Sequence, residues 1–182
     1  MNQFPTEYDD DGKPCPILSA KSNCDKHVVK IITEIQQMAT CACIRHGATP
    51  DMLPLSKAGT PLRGGYPHHP MTIWVGDTKE NFLWTLYHGA ALCEEFTKRY
   101  GKEHFVEHQL EQLFELLYLI PDGDLTEMPQ CMPDKYKVKG DVVKAYRLYY
   151  AFEKSEIAKW EKGRPSPKWY DYYRGVISGT IQ

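Results

Sequence analysis

No apolar run in the 182 residues approaches the ~18 that a membrane-spanning helix needs. Met1 to Lys13 is acidic and interrupted by Pro5, so it has neither the basic start nor the apolar stretch of a secretory signal. An intracellular protein with no membrane partner is the expectation. The sequence also lacks G-x-x-x-x-G-K-[ST], G-x-G-x-x-G after a strand, H-E-x-x-H and G-x-S-x-G. These are the signatures of phosphate loops, dinucleotide folds, zinc proteases and serine hydrolases, and no cofactor is expected. Internal repeats and period-two strand patterns are missing too.

Cysteine is present without a pairing pattern. The six lie at 15, 24, 41, 43, 93 and 131, and no second pair follows the Cys41-x-Cys43 step at zinc-finger spacing. Cys24, His27, Cys41, Cys43 and His46 would reach one zinc ion only where two helices met. Buried free thiols are the plainer outcome, and no metal is expected.

Nor is there a surplus of positive charge. The net charge is −2, which disfavours a protein that binds nucleic acid through a uniformly basic surface. The charge is, however, uneven. Glu94 to Glu127 holds nine acids and three bases, whereas Lys135 to Arg174 holds eleven bases and five acids. A basic C-terminal third would track phosphates with the acidic middle turned away; an ordinary solvated helix face explains the same counts.

What is present reads as one all-α domain, a bundle of about four main helices with two long Pro-rich loops. Met1 to Asn23 is expected to be an irregular arm. A helix then runs from about Cys24 to Ile44, with Val28, Ile31, Ile35 and Met38 on its apolar stripe and Gly47 ending it. Ala48 to Pro70 carries five prolines and three glycines, and no regular element is expected there. A helix from Lys79 to Tyr100, capped by Asp77 or Thr78 and stopped by Gly101, is apolar nearly all round and so belongs at the centre. Further helices are expected from about Glu103 to Leu119 and Asp141 to Trp160, separated by a second Pro-rich loop from Met128 to Gly140. Gly163 to Gln182 is an aromatic and basic tail.

The first long helix carries the sharpest chemical pattern. His27, Lys30, Glu34 and Gln37 fall within about 80° of arc, beside the apolar stripe. A histidine, an ammonium and a carboxylate at the margin of a core perturb one another and can move protons or stabilise a cation. A solvated face with ordinary i,i+3 and i,i+4 pairs is the alternative. His69, held extended before Pro70, is a candidate to point into a cleft together with Trp74. Arg99 lies at a helix end, where it either caps the dipole or grips phosphate. Arg147 and Tyr149, and Arg164, Trp169 and Tyr172, interleave bases with rings of the kind that stack on an extruded nucleotide. Tyrosines at helical spacing also serve as core.

The block from Cys24 to Lys30 with Glu34 and Gln37 resembles one in small phage proteins classed with the pyrimidine-dimer DNA glycosylases. His69-Pro70 with Trp74, Leu92 to Gly101, Met132 to Tyr136 and Ala145 to Tyr150 resemble their other blocks. Asp25, His27 and Glu34 also reproduce the spacing around the catalytic glutamate of phage endonuclease V, and Arg164-Pro165 with Trp169 to Tyr173 resembles its C-terminus. The resemblance implies an all-α DNA-repair enzyme of the infected bacterial cytoplasm, a glycosylase (hydrolase) with possible AP-lyase activity on damaged or modified pyrimidines. It implies a nucleophile in the N-terminal amine, here Met1, with Glu34 stabilising the cationic sugar. Asn2 stands where the family has a small residue, a longer acidic arm follows, and Thr33 and Gln37 replace arginines beside the glutamate. Two other functions fit the same residues. One is a phage enzyme modifying pyrimidine bases or nucleotides through His27, Lys30, Glu34 and His69; the other is a non-enzymatic protein that binds nucleic acid or a host protein.

Overall fold

The computed structural model describes residues 2–180. Seven α-helices are found there: α1 Pro16–Ser22, α2 Asp25–Arg45, α3 Pro70–Val75, α4 Lys79–Tyr100, α5 Glu107–Glu115, α6 Val142–Glu153 and α7 Lys168–Ile177. Single 3-10 turns occupy Pro50–Met52, Leu116–Leu119 and Asp134–Tyr136. Among the described residues the only β-type pairings are the isolated bridges Tyr8–Pro14 and Leu55–Pro61, so the fold is all-α. No described helix is long and apolar enough to cross a membrane.

α2 and α4 form the centre. Ile31, Ile32, Ile35 and Met38 of α2 and Phe82, Leu92 and Cys93 of α4 are buried. α5 closes over them at Gly89, where an added methyl would stand 2.9 Å from both Ile35 Cγ2 and Leu110 Cδ1. α4 begins where the Thr78 hydroxyl accepts from the Asn81 amide and ends at Gly101 in the left-handed region, φ 69°. Both limits match the sequence.

Three short helices lie where none was expected, and the first two rest on a local side-chain cap. In the arm, Pro16 opens α1 while the Cys15 sulfur accepts from the Leu18 amide; His88 Nδ1 pairs with the Pro16 carbonyl at 2.8 Å. α3 starts at Pro70, with His69 Nδ1 accepting from the Met71 amide at 3.2 Å, inside what reads as the end of a proline-rich loop. α7 gives the tail a regular core from Lys168.

α6 stops at Glu153, short of Trp160. The segment beyond it is bonded elsewhere: Lys159 O accepts from Asp25 N, Glu161 N donates to Asp25 Oδ2 at 2.6 Å, and Trp160 Nε1 donates to Ser22 O. These bonds tie the segment to the end of α1 and to Asp25 of α2 in place of a further turn of α6. Between α2 and α3 the long loop is pinned at Gly64, which has φ 67° and whose Cβ would meet Cys41 Sγ at 2.4 Å; only glycine fits there.

The six cysteines are free thiols. The convergence of Cys24, His27, Cys41, Cys43 and His46 considered above does not occur: among the described residues no group of three or more His, Cys, Asp or Glu is close enough to hold a metal. Burial raises the Cys43 and Cys93 thiols to about 12.

Candidate active site

α2 presents His27, Lys30 and Glu34 to a cleft of about 410 Å³, and the N-terminal arm forms its opposite wall with Asn2 and Phe4. His69 reaches it from the start of α3, Cys131 from the second Pro-rich loop, and Tyr149 and Lys154 from the end of α6. Past His69, Cys131 and Tyr149 the cleft opens into a trough of about 610 Å³ along Pro129 to Pro133 and Lys137.

The arm enters by specific bonds. The Asn2 amide N–H donates to Glu34 Oε2 at 2.7 Å, and Lys30 Nζ lies 3.0 Å from Glu34 Oε1. The Asn2 side chain donates to the Cys131 carbonyl and accepts from the Tyr146 hydroxyl at 2.5 Å. The buried Gln3 amide donates to Thr85. Phe4 stacks on His27 with ring centroids 4.4 Å apart, while Tyr150 meets the same imidazole edge-on at 5.0 Å. Farther out, Thr6 and Glu7 are held by Ser19 and by Arg147, whose Nε donates to the Thr6 carbonyl at 2.6 Å.

Electrostatics sort the two histidines. His27 is 4% exposed, its Nδ1 is enclosed without a partner, and its pKa is lowered to about 3 by burial and then by Lys154, Lys30 and Lys26. It is therefore neutral throughout the physiological range. Burial also lowers the pKa of His69. Because His69 Nδ1 accepts from Met71, its proton sits on Nε2, leaving an N–H donor on the remaining nitrogen. A carboxylate flanked by an ammonium and two neutral imidazoles can hold a developing cation and relay a proton.

The site residues expected from sequence separate into three sets. Glu34, His27, Lys30, His69 and Tyr149 come together in the cleft. Met1 lies outside the described residues. The others sit elsewhere, and most are engaged internally. Trp74 is buried, its Nε1 bonded to the Thr126 carbonyl, against a separate hollow that shares no lining residue with the cleft. The Arg99 side chain is fully buried and spans Asp25, Glu95 and the Asn23 and Lys21 carbonyls, out of reach of a phosphate. Arg164 makes a two-pronged pair with Glu95. Burial alone would raise the Glu95 carboxyl, but the Arg164 and Arg99 guanidiniums bring it below the usual range. Trp169 packs on Tyr150 and donates to Glu7. Tyr172 is exposed on α7 and does not line the cleft. Gln37, last of the polar stripe, lies against Gly65. Arg99 pairs with Glu95 one turn before it on α4, but its other acid, Asp25, and the Arg164–Glu95 pair come from distant parts of the chain, which spacing along one segment does not reveal.

Asn2, Phe4, Lys26, Cys131 and Lys154 were missed. Lys26 directly precedes His27 and was legible. The others come from the arm, a loop and a helix end, which no period links to α2. Comparison with protein-family models, curated proteins and solved structures yields no match.

Proposed function

We propose that the protein is a DNA glycosylase with AP-lyase capacity that acts on damaged or modified pyrimidines. The observation that carries this reading is the 2.7 Å bond from the Asn2 amide to Glu34. The nitrogen that joins residue 1 to the chain is thereby in contact with the cleft carboxylate. In this reading the α-amine of Met1, with a reference pKa of about 8, supplies a neutral fraction at pH 7. Its lone pair attacks C1′ of an extruded nucleotide and the glycosidic bond breaks. The base leaves with the bonding electrons and takes a proton, in this reading from the His69 N–H. Glu34 stabilises the cationic sugar and passes a proton from the attached amine to O4′ as the C1′–O4′ bond opens, and the resulting protonated imine makes the 2′ proton acidic enough for β-elimination of the 3′ phosphate.

Borohydride trapping on abasic-site DNA tests it. A covalent adduct mapping to the N-terminal peptide, and lost in Glu34→Gln, is the expected result; an amine adduct elsewhere, or none, removes the reading.

A second reading is favoured by one observation: Arg99 and Arg164 are engaged inside the molecule and do not form a duplex-binding surface. On that reading the cleft modifies a pyrimidine base or free nucleotide. No trapped adduct, together with loss of a pyrimidine-modifying activity in both Glu34→Gln and His27→Ala, supports it.

A further inference from the structure

The cleft contains more positive charge than the reaction needs. Lys30 pairs with Glu34, but Lys26 and Lys154 line the same cleft with no carboxylate at ion-pair distance among the described residues. The acids nearest to them in sequence are committed elsewhere. Asp25 binds Arg99 and the Glu161 amide, and Glu153 binds Lys135 and Tyr136. Lys154 Nζ instead sits 4.8 Å above the Tyr149 ring.

The start of α2 adds to this. The helix has 21 residues, its N-cap Cys24 makes no side-chain cap, and the amides of Lys26 and His27 have no acceptor among the described residues. Free N–H groups at the positive end of a long helix attract an anion. The buried His27 ring in the same turn has a nitrogen without a partner, which in a folded protein calls for an explanation.

We propose that the first turn of α2, with Lys26, His27 and Lys154, is an anion subsite that takes the phosphate ester of a nucleotide whose base enters the cleft beside Tyr149. It extends the reading of the cleft as a nucleotide site and names the group that anchors the substrate. The same chemistry serves a free 5′-phosphate or a phosphodiester of DNA.

The test is binding of the full chain to thymidine, to thymidine 5′-monophosphate and to the dinucleotide diester, followed by calorimetry and backbone-amide NMR. The monophosphate is expected to bind about tenfold or more tighter than the nucleoside, the size of one charge-assisted hydrogen bond. Lys26→Gln and Lys154→Gln shrink that ratio, the exposed-lysine control Lys98→Gln does not, and inorganic phosphate competes. Preference for the monophosphate over the diester assigns the subsite to free nucleotides; equal binding of the two assigns it to the DNA backbone. Equal affinity for nucleoside and monophosphate, or a ratio unmoved in both lysine variants, overturns the proposal. Phosphate preference without a trapped amine keeps the subsite and removes the glycosylase; a trapped amine without phosphate preference does the reverse.

Discussion

Phe4 lies on His27, their rings 27° from parallel with centroids 4.4 Å apart, so the arm seals one face of an imidazole whose pKa burial lowers to about 3. This contact links the start of the chain to the first turn of α2 and makes the fold sensitive to acid.

Stability should fall as the pH drops. The pKa is lowered to about 3 at His27 and to about 4 at His88, against 6.5 for each in the unfolded chain. Above pH 6.5 both are neutral in both states and contribute no pH dependence. Below it the unfolded chain takes up protons that the native chain refuses, and stability declines until the native pKa values are passed. With both histidines the slope approaches about 2.7 kcal/mol per pH unit near pH 5, from 1.36 per proton. Urea melts from pH 7.5 to 4.5 measure it. A flat profile below pH 6, or imidazole NMR signals of His27 titrating near 6.5, contradicts the burial of these rings.

Arg99→Ala should be among the most destabilising single changes. It leaves Asp25 and Glu95 buried without their shared guanidinium, a loss of about 3–5 kcal/mol. Arg164→Ala should cost less, because Glu95 keeps Arg99. Equal midpoints for the two variants in denaturant would show that the network is not centred on Arg99.

Arg147→Ala separates a positioning role from a nucleic-acid contact. Its bonds go to the Thr6 carbonyl and Glu7, so the change should loosen the arm and lower kcat with little effect on KM. The dependence of DNA affinity on salt should be unchanged. A drop of about one in the log–log salt slope indicates that the guanidinium reaches phosphate instead.

Gly89→Ala should destabilise by about 1–3 kcal/mol, since the methyl would press on Ile35 and Leu110 where α2, α4 and α5 meet. Gly123→Ala is the comparison: its methyl would meet the Thr78 side chain at the start of α4, away from that junction, so a smaller loss is expected. Equal losses would remove the special status of the three-helix contact.

The amino-acid order alone determined that this chain is helical, because apolar residues recur at three- and four-residue spacing and the stops at Gly47 and Gly101 are local. It also put His27, Lys30 and Glu34 on one side of α2, since the pitch of a helix requires it. Tertiary structure decided what faces them. Asn2, Phe4, His69, Cys131 and Lys154 reach the cleft from four other parts of the chain, brought there by burial of Phe4, Tyr146 and Tyr150 and by the bonds of Asn2. The same packing buried the Arg99 guanidinium among Asp25, Glu95 and the Asn23 and Lys21 carbonyls and paired the partly exposed Arg164 with Glu95, partners that fold-level contact rather than local spacing supplies.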